Sequence, residues 1–258
     1  MESQKKFPKT FSFEFFPPNT PEGTQKLAQT SKQLAQLNPK FFSVTYGAGG
    51  STRERTLRAV LDLRTAGYAA APHISCIGSS RNDIREILHE YQKNGIRHLV
   101  ALRGDLPSGT AFAGEFQYAN ELVAFIRKEF GEQFHIDVAA YPEYHPQARS
   151  AQEDLLNFKR KVEAGASSAI TQYFYNTDGY FHFVDECAAM GINLPLVPGI
   201  MPVSNFASVA RFARQCGAGI PPRLARAFEG LDDDPETRRM VAVALACEQV
   251  RGLQAAGV

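Results

Sequence analysis

Seven short apolar runs alternate with amphipathic stretches along this chain, and that order leaves few folds open. The runs are Thr10–Phe16, Phe41–Tyr46, Ala69–Cys76, His98–Asp105, His135–Glu143, Ser168–Tyr175 and Leu194–Pro202. Each is short and flanked by turn residues or polar segments, so each reads as a strand. Helical patterns lie between and after them, at Thr24–Leu37, Glu54–Thr65, Arg81–Asn94, Asn120–Phe130, Gln152–Ala164, Thr177–Met190 and Asn205–Cys216. Several of these are followed by a glycine, as at Gly67, Gly95, Gly131 and Gly165, the usual helix stop. Strand–helix units in series predict a parallel sheet. Recurrence at roughly 30 residues suits a TIM-type (β/α)8 barrel, with a doubly wound sheet as the alternative. After the seventh strand two or three helices follow, including a long one from about Asp234 to Ala255. The eighth strand of such a barrel is therefore expected to be missing from this chain. No linker or low-complexity segment interrupts the pattern, so residues 1–258 read as a single barrel catalytic domain.

A chain of 258 residues with 44% hydrophobic side chains can bury a large core without disulfides or a structural metal. Its formal net charge of +1 gives no general pull toward nucleic acid or an anionic membrane. Cys76, Cys187, Cys216 and Cys247 form no C-x-x-C pair, so they read as buried, reduced thiols and not as a zinc or redox motif. Met1 to Thr10 has no apolar core of a secretory signal, and the uncharged stretch Gly191–Ala210 is broken by prolines and glycines. The expectation is a soluble, cytoplasmic protein with no nucleic-acid or membrane partner.

In a parallel barrel the chemistry sits at the C-terminal ends of the strands. The first run ends with Glu14 inside Phe-Ser-Phe-Glu-Phe-Phe-Pro-Pro. Alternation puts it on the face of Ser12 and Phe16. Apolar surroundings would favour its protonated form, which suits a proton donor; a glutamate pointing outward is the plainer reading. The second run leads into Thr45-Tyr46-Gly47-Ala48-Gly49-Gly50-Ser51-Thr52, a near miss to a dinucleotide fingerprint that reads better as a tight loop near a ligand. His73 ends the third run and Arg103-Gly104-Asp105 the fourth. The guanidinium suits phosphate or ribose and the carboxylate a polar ring, although a salt bridge would explain the pair equally. Tyr141, Glu143 and His145 follow the fifth run. Two ligands without a third make a poor metal site, and Tyr141 suits contact with a flat ring. Asp154, Asn157 and Lys161 fall on one helical face, by default a solvated one. Gln172 could offer a donor and an acceptor to a heterocycle. No P-loop, nucleophile elbow or H-E-x-x-H is present.

Taken together, Phe13-Glu14-Phe15-Phe16-Pro17-Pro18, Ser43–Ala48, Ala71-Pro72-His73, Ala101–Asp105, Ala140-Tyr141-Pro142-Glu143, Thr171-Gln172 and Pro198-Gly199-Ile200 recur in this order in methylenetetrahydrofolate reductases. The chain resembles that family from about Thr10 to Val258. The resemblance implies reduction of methylenetetrahydrofolate to methyltetrahydrofolate by a flavoprotein, with FAD as cofactor, NADH (or NADPH) as co-substrate, a folate substrate and a homo-oligomeric assembly. It implies Glu14 as proton donor to the folate and Asp105 beside both flavin and pterin. His73, Arg103, Gly104, Tyr141, His145, Asp154 and Lys161 would hold FAD, with Tyr46, Ala48, Ala119, Ala148, Asn157 and Arg160 as lesser contacts. Thr45 and Gln172 would contact nicotinamide or folate. Ser208 departs from the family pattern, where a glutamine is expected. Two alternatives stand beside this reading: a barrel flavoenzyme similar to proline dehydrogenase, and a truncated relative that binds flavin or a partner without turnover.

Overall fold

A computed structural model describes residues 1–46, 53–104 and 114–258. The seven expected strands form: β1 (Phe13–Phe15), β2 (Phe42–Val44), β3 (Ala70–Ser75), β4 (His98–Leu102), β5 (His135–Ala140), β6 (Ser168–Tyr173) and β7 (Leu196–Gly199). Between and after them lie α1 (Pro21–Ala35), α2 (Arg53–Thr65), α3 (Arg81–Lys93), α4 (Ala119–Phe130), α5 (Ala151–Glu163), α6 (Thr177–Ala189), α7 (Phe206–Cys216), α8 (Pro222–Ala227) and α9 (Pro235–Ala256). A short 3-10 turn, Glu2–Gln4, precedes them. The strand order follows chain order, β1 to β7. A doubly wound sheet needs a reversal in that order, so the alternative falls away. β1 and β7 are shorter than their apolar runs. Pro17 and Pro18 follow β1 and Pro198 lies within β7, and proline cannot donate to a strand ladder.

Two compact units carry these elements. The first comprises Lys9–Val138 and Lys161–Ser167, the second Met1–Pro8, Ala139–Arg160 and Ser168–Val258. In the first unit the register runs Glu14↔Ser43↔Ala71 across β1–β3 and His73↔Val100↔Asp137 across β3–β5. Registered partners share a face, and so do residues two apart on one strand. Phe13 and Phe15 take the other face, where both stack on Phe42 with ring centroids 6.1 and 5.5 Å away.

The first unit is also tied by Arg127 in the last turn of α4. Its guanidinium donates to the carbonyls of Gly165 (2.9 Å), Gly131 (3.0 Å) and Phe134 (2.8 Å) and to the Ser167 hydroxyl (2.9 Å). The same hydroxyl accepts from the Ile136 N–H at 3.0 Å, so one side chain orders both the entry to β5 and the approach to β6.

In the second unit, Gln4 of the N-terminal turn brackets the start of β7. Its amide donates to Leu194 O at 3.3 Å and its carbonyl accepts from Leu196 N at 2.9 Å. The buried Tyr180 hydroxyl donates to Leu196 O at 2.6 Å, and its ring stacks on Phe174. A further core of Val203, Val209, Leu224, Phe228 and Ala242 lies among α7, α8 and α9. Asp234 caps α9 by accepting from Thr237 N at 2.9 Å.

Replacing Arg127 by alanine strands several carbonyls at once. Arg127→Ala is expected to lower stability by about 2–4 kcal/mol, read from urea unfolding. A loss below about 0.5 kcal/mol would show that water replaces the bracket without cost.

Candidate active site

The first unit places Glu14 and His73 together. Glu14 lies on the face opposite Phe13 and Phe15, as alternation requires. His73, two residues beyond Glu14's row, brings its Nε2 to 3.4 Å from Glu14 Oε2. The imidazole is buried at 7% exposure while the carboxylate is 51% exposed. That contact does not have hydrogen-bond geometry, and among the described residues His73 Nε2 has no other partner. Burial pushes the Glu14 carboxyl up, but the contact with His73 and its charge outweigh this, and the group sits below its ordinary value. Phe13 and Phe15, which suggested a protonated acid, lie on the far face; His73, distant in sequence, sets the sign.

Thr45 and Tyr46 are half-buried just past β2. The Thr45 N–H donates to Phe15 O at 2.9 Å and its carbonyl accepts from the Thr56 hydroxyl at 2.9 Å. Burial raises the Tyr46 phenol above its ordinary value, against the pull of Arg53. At the end of β4, Arg103 O accepts from the Ser75 hydroxyl and from Ile77 N, both at 2.8 Å. Gly104 then turns at φ +83°, and a Cβ there would lie 1.9 Å from Ser75 Oγ. Only glycine meets both demands. Ala119 opens α4 half-buried, and Lys161 is half-buried in the last turn of α5. Ala48 and Asp105 lie outside the described residues, as does the glycine-rich stretch 47–52.

The second unit groups Tyr141, His145, Ala148 and Asp154. The Tyr141 and His145 rings meet edge to face, with centroids 4.7 Å apart. The His145 N–H donates to Asp154 Oδ2 at 2.9 Å, and its Nδ1 accepts from Gln147 N at 3.0 Å. That acceptance leaves Nδ1 unprotonated. Ala148 N closes the turn onto His145 O at 2.9 Å. Tyr144, between them, is held at φ +112°, a costly conformation for a bulky residue and one that clusters at functional sites. Glu143 accepts from Gly219 N. On α5 the Asn157 carbonyl accepts from Arg160 at 2.6 Å. Gln172 is half-buried on β6, its carbonyl accepting from Tyr173 N at 3.0 Å. It lies where the β6–β7 register shifts between Ile170 and Tyr173. Ser208 is exposed on α7, and its N–H donates to the cap residue Asn205. Three residues that the sequence did not single out, His98, His135 and Asp137, also converge in the first unit. Their signal is the β4–β5 register, which sequence alone does not carry.

Because the folded carboxyl of Glu14 lies below its ordinary value of 4.5, its contact contributes stability above that pH and loses it on acidification. The stability difference between wild type and Glu14→Gln is expected to shrink as pH falls below 4.5. A difference that instead grows as pH falls below 4.5 would indicate a raised carboxyl.

The family model for methylenetetrahydrofolate reductase matches residues 1–258. The chain is 48% identical to the Escherichia coli 5,10-methylenetetrahydrofolate reductase, over 96% of this chain and 82% of that protein. It is 38% identical to the Arabidopsis thaliana methylenetetrahydrofolate reductase (NADH) 1, over 96% of this chain and 44% of that protein. Among solved structures, a Clostridium thermocellum protein described as binding two copies of 5-methyl-5,6,7,8-tetrahydrofolic acid superposes with a TM-score of 0.64. Its identity is 15%, and the match covers 98% of this chain and 86% of that one, so it supports the fold alone. On the family match and these identities, the chain belongs to the methylenetetrahydrofolate reductases, enzymes that reduce methylenetetrahydrofolate to methyltetrahydrofolate.

Proposed function

We propose that this chain carries out that reduction with FAD as cofactor and NADH or NADPH as donor, and that Glu14 is its proton donor. The observation that carries the reading is Glu14 itself. It is a half-exposed carboxylate at the C-terminal end of β1, set against a buried imidazole whose Nε2 lacks a hydrogen bond among the described residues.

The residues present fit a flavin nucleotide. Arg103 and Lys161 are cations suited to phosphate oxygens. The glycine at 104 lets the backbone turn where a side chain would collide with Ser75. Tyr141 and His145 supply an aromatic pair in a strained loop. On this reading His73, Arg103, Gly104, Tyr141, His145, Asp154 and Lys161 hold FAD. Tyr46, Ala48, Ala119, Ala148, Asn157 and Arg160 make lesser contacts, Thr45 meets nicotinamide, and Gln172 meets folate. When bound, FAD supplies the hydride-carrying redox centre.

Glu14 holds a proton at its carboxyl and passes it to the folate ring nitrogen that must leave as the five-membered ring opens. Water now reaches the carboxylate, and His73 favours its charged form. A folate ring that displaces that water adds to the burial that already pushes the group upward, so substrate arrival itself arms the acid. Asp105, one residue past Gly104, carries the complementary role of a carboxylate that offsets positive charge developing on the substrate. The reading treats residues 1–258 as one catalytic domain, because one family model spans them, and takes the protein as a cytoplasmic homo-oligomer. No helix among the described residues is long and apolar enough to cross a membrane.

Flavin absorbance is expected to copurify with the protein and to bleach on anaerobic addition of NADH or NADPH. Methylenetetrahydrofolate is expected to restore it, whereas proline is not expected to bleach the oxidised flavin. A folded sample that stays colourless through FAD titration would contradict the cofactor assignment.

A further inference from the structure

Two histidines open adjacent strands in register. His98 is the first residue of β4 and His135 the first of β5, and they are paired across the ladder. Asp137, two residues further along β5, returns to the same face. Its carboxylate is 3% exposed, and each oxygen faces a different imidazole. His98 Nε2 lies 2.7 Å from Oδ2 and His135 Nε2 lies 3.3 Å from Oδ1. The two rings meet edge to face with centroids 4.5 Å apart, and Phe41 packs on His98 at 4.2 Å.

A carboxylate this deeply buried calls for positive charge or strong donors. Among the groups turned toward it are two nitrogens of the kind that bind borderline metals. One ligand atom from each residue lies within 4.8 Å of the others. Nitrogen and oxygen ligands about 2.1 Å from a tetrahedral ion stand about 3.4 Å apart. The His135–Asp137 separation of 3.3 Å matches that edge. The His98–Asp137 separation of 2.7 Å is that of a hydrogen bond, and it opens by a side-chain adjustment when an ion replaces the shared proton.

We propose that His98, His135 and Asp137 form a binding site for a divalent transition-metal ion such as Zn2+ or Co2+. Three protein ligands from two strands leave the remaining coordination positions to water. His135, 40% exposed, gives the ion its way in, while Phe41 fixes the orientation of the less exposed His98. The site lies at the N-terminal ends of β4 and β5. Glu14 and His73 belong to the same sheet face, but His73 stands across two strands from Asp137, about 10 Å away. In parallel α/β barrels the N-terminal ends of the strands serve stability and the opposite ends serve chemistry. The ion therefore acts as a clasp on the start of two neighbouring strands. It stabilises the folded chain by mass action, because the unfolded chain has no preformed site.

The test uses the whole purified protein, stripped of metal with a chelator and then titrated with Co2+, followed by competition with Zn2+. The expected result is one saturable equivalent with a visible Co2+ spectrum of nitrogen and oxygen ligation and a rise in thermal midpoint. His135→Ala, a change at the most exposed ligand, is expected to weaken binding at least about tenfold and to abolish the midpoint shift without unfolding the apoprotein. Asp137→Asn is the second variant, with the same expected loss. Absence of saturable binding would overturn the proposal and leave a carboxylate bridging two imidazoles by hydrogen bonds alone. Undiminished binding in folded His135→Ala would overturn it equally, as would a Co2+ spectrum of thiolate ligation, which would move the ion to a cysteine.

Discussion

The stacking of Phe13 and Phe15 on one ring, Phe42, is the constraint on which the described site depends. A strand has two faces and a period of two. Once two phenylalanines claim one face, Glu14 has no choice about the other. The parallel register then carries that choice across the sheet. Ser43 and Ala71 share Glu14's row, and His73, two residues on, arrives on the same face. A slip of one residue in β1 would send the carboxylate into the phenylalanine layer and bring Phe15 toward His73. The apolar contacts therefore position the acid without touching it.

That placement produces a carboxylate with two opposed influences. Burial raises its proton affinity and His73 lowers it, and in the ligand-free chain His73 prevails. At 51% exposure solvent screens much of either effect, so the balance is easily tipped. An acid that must be ionised while waiting and protonated when substrate arrives benefits from such a balance. The neighbouring backbone is rigid by comparison. Ser75, Arg103 and Gly104 interlock so closely that a single methyl at Gly104 would collide.

Much of the fold was legible in the sequence because its signals are local. Apolar runs, helix periods and terminal glycines gave each strand and nearly every helix to within a few residues. The short α8 has no range in that reading, since six residues opened by a proline carry no periodic signal. The side of β1 on which Glu14 lies was legible from alternation. Its ionisation was not, because the deciding partner, His73, stands on another strand. Asp154 illustrates a second limit. Helical spacing gave its face, yet what it contacts is the N–H of His145, nine residues earlier across a turn. His98, His135 and Asp137 illustrate a third. Each reads alone as an ordinary strand residue, and only the β4–β5 register makes them neighbours.

The central claim is that Glu14 supplies a proton to the folate and nothing to the flavin. Stopped-flow measurement of the two half-reactions in Glu14→Gln tests it directly. Bleaching of the flavin by NADH should persist near the wild-type rate, because that step needs no acid from the protein. Recovery of the flavin on addition of methylenetetrahydrofolate should slow by about 100-fold or more. Equal losses in both half-reactions would contradict the account and make Glu14 a support for the flavin site.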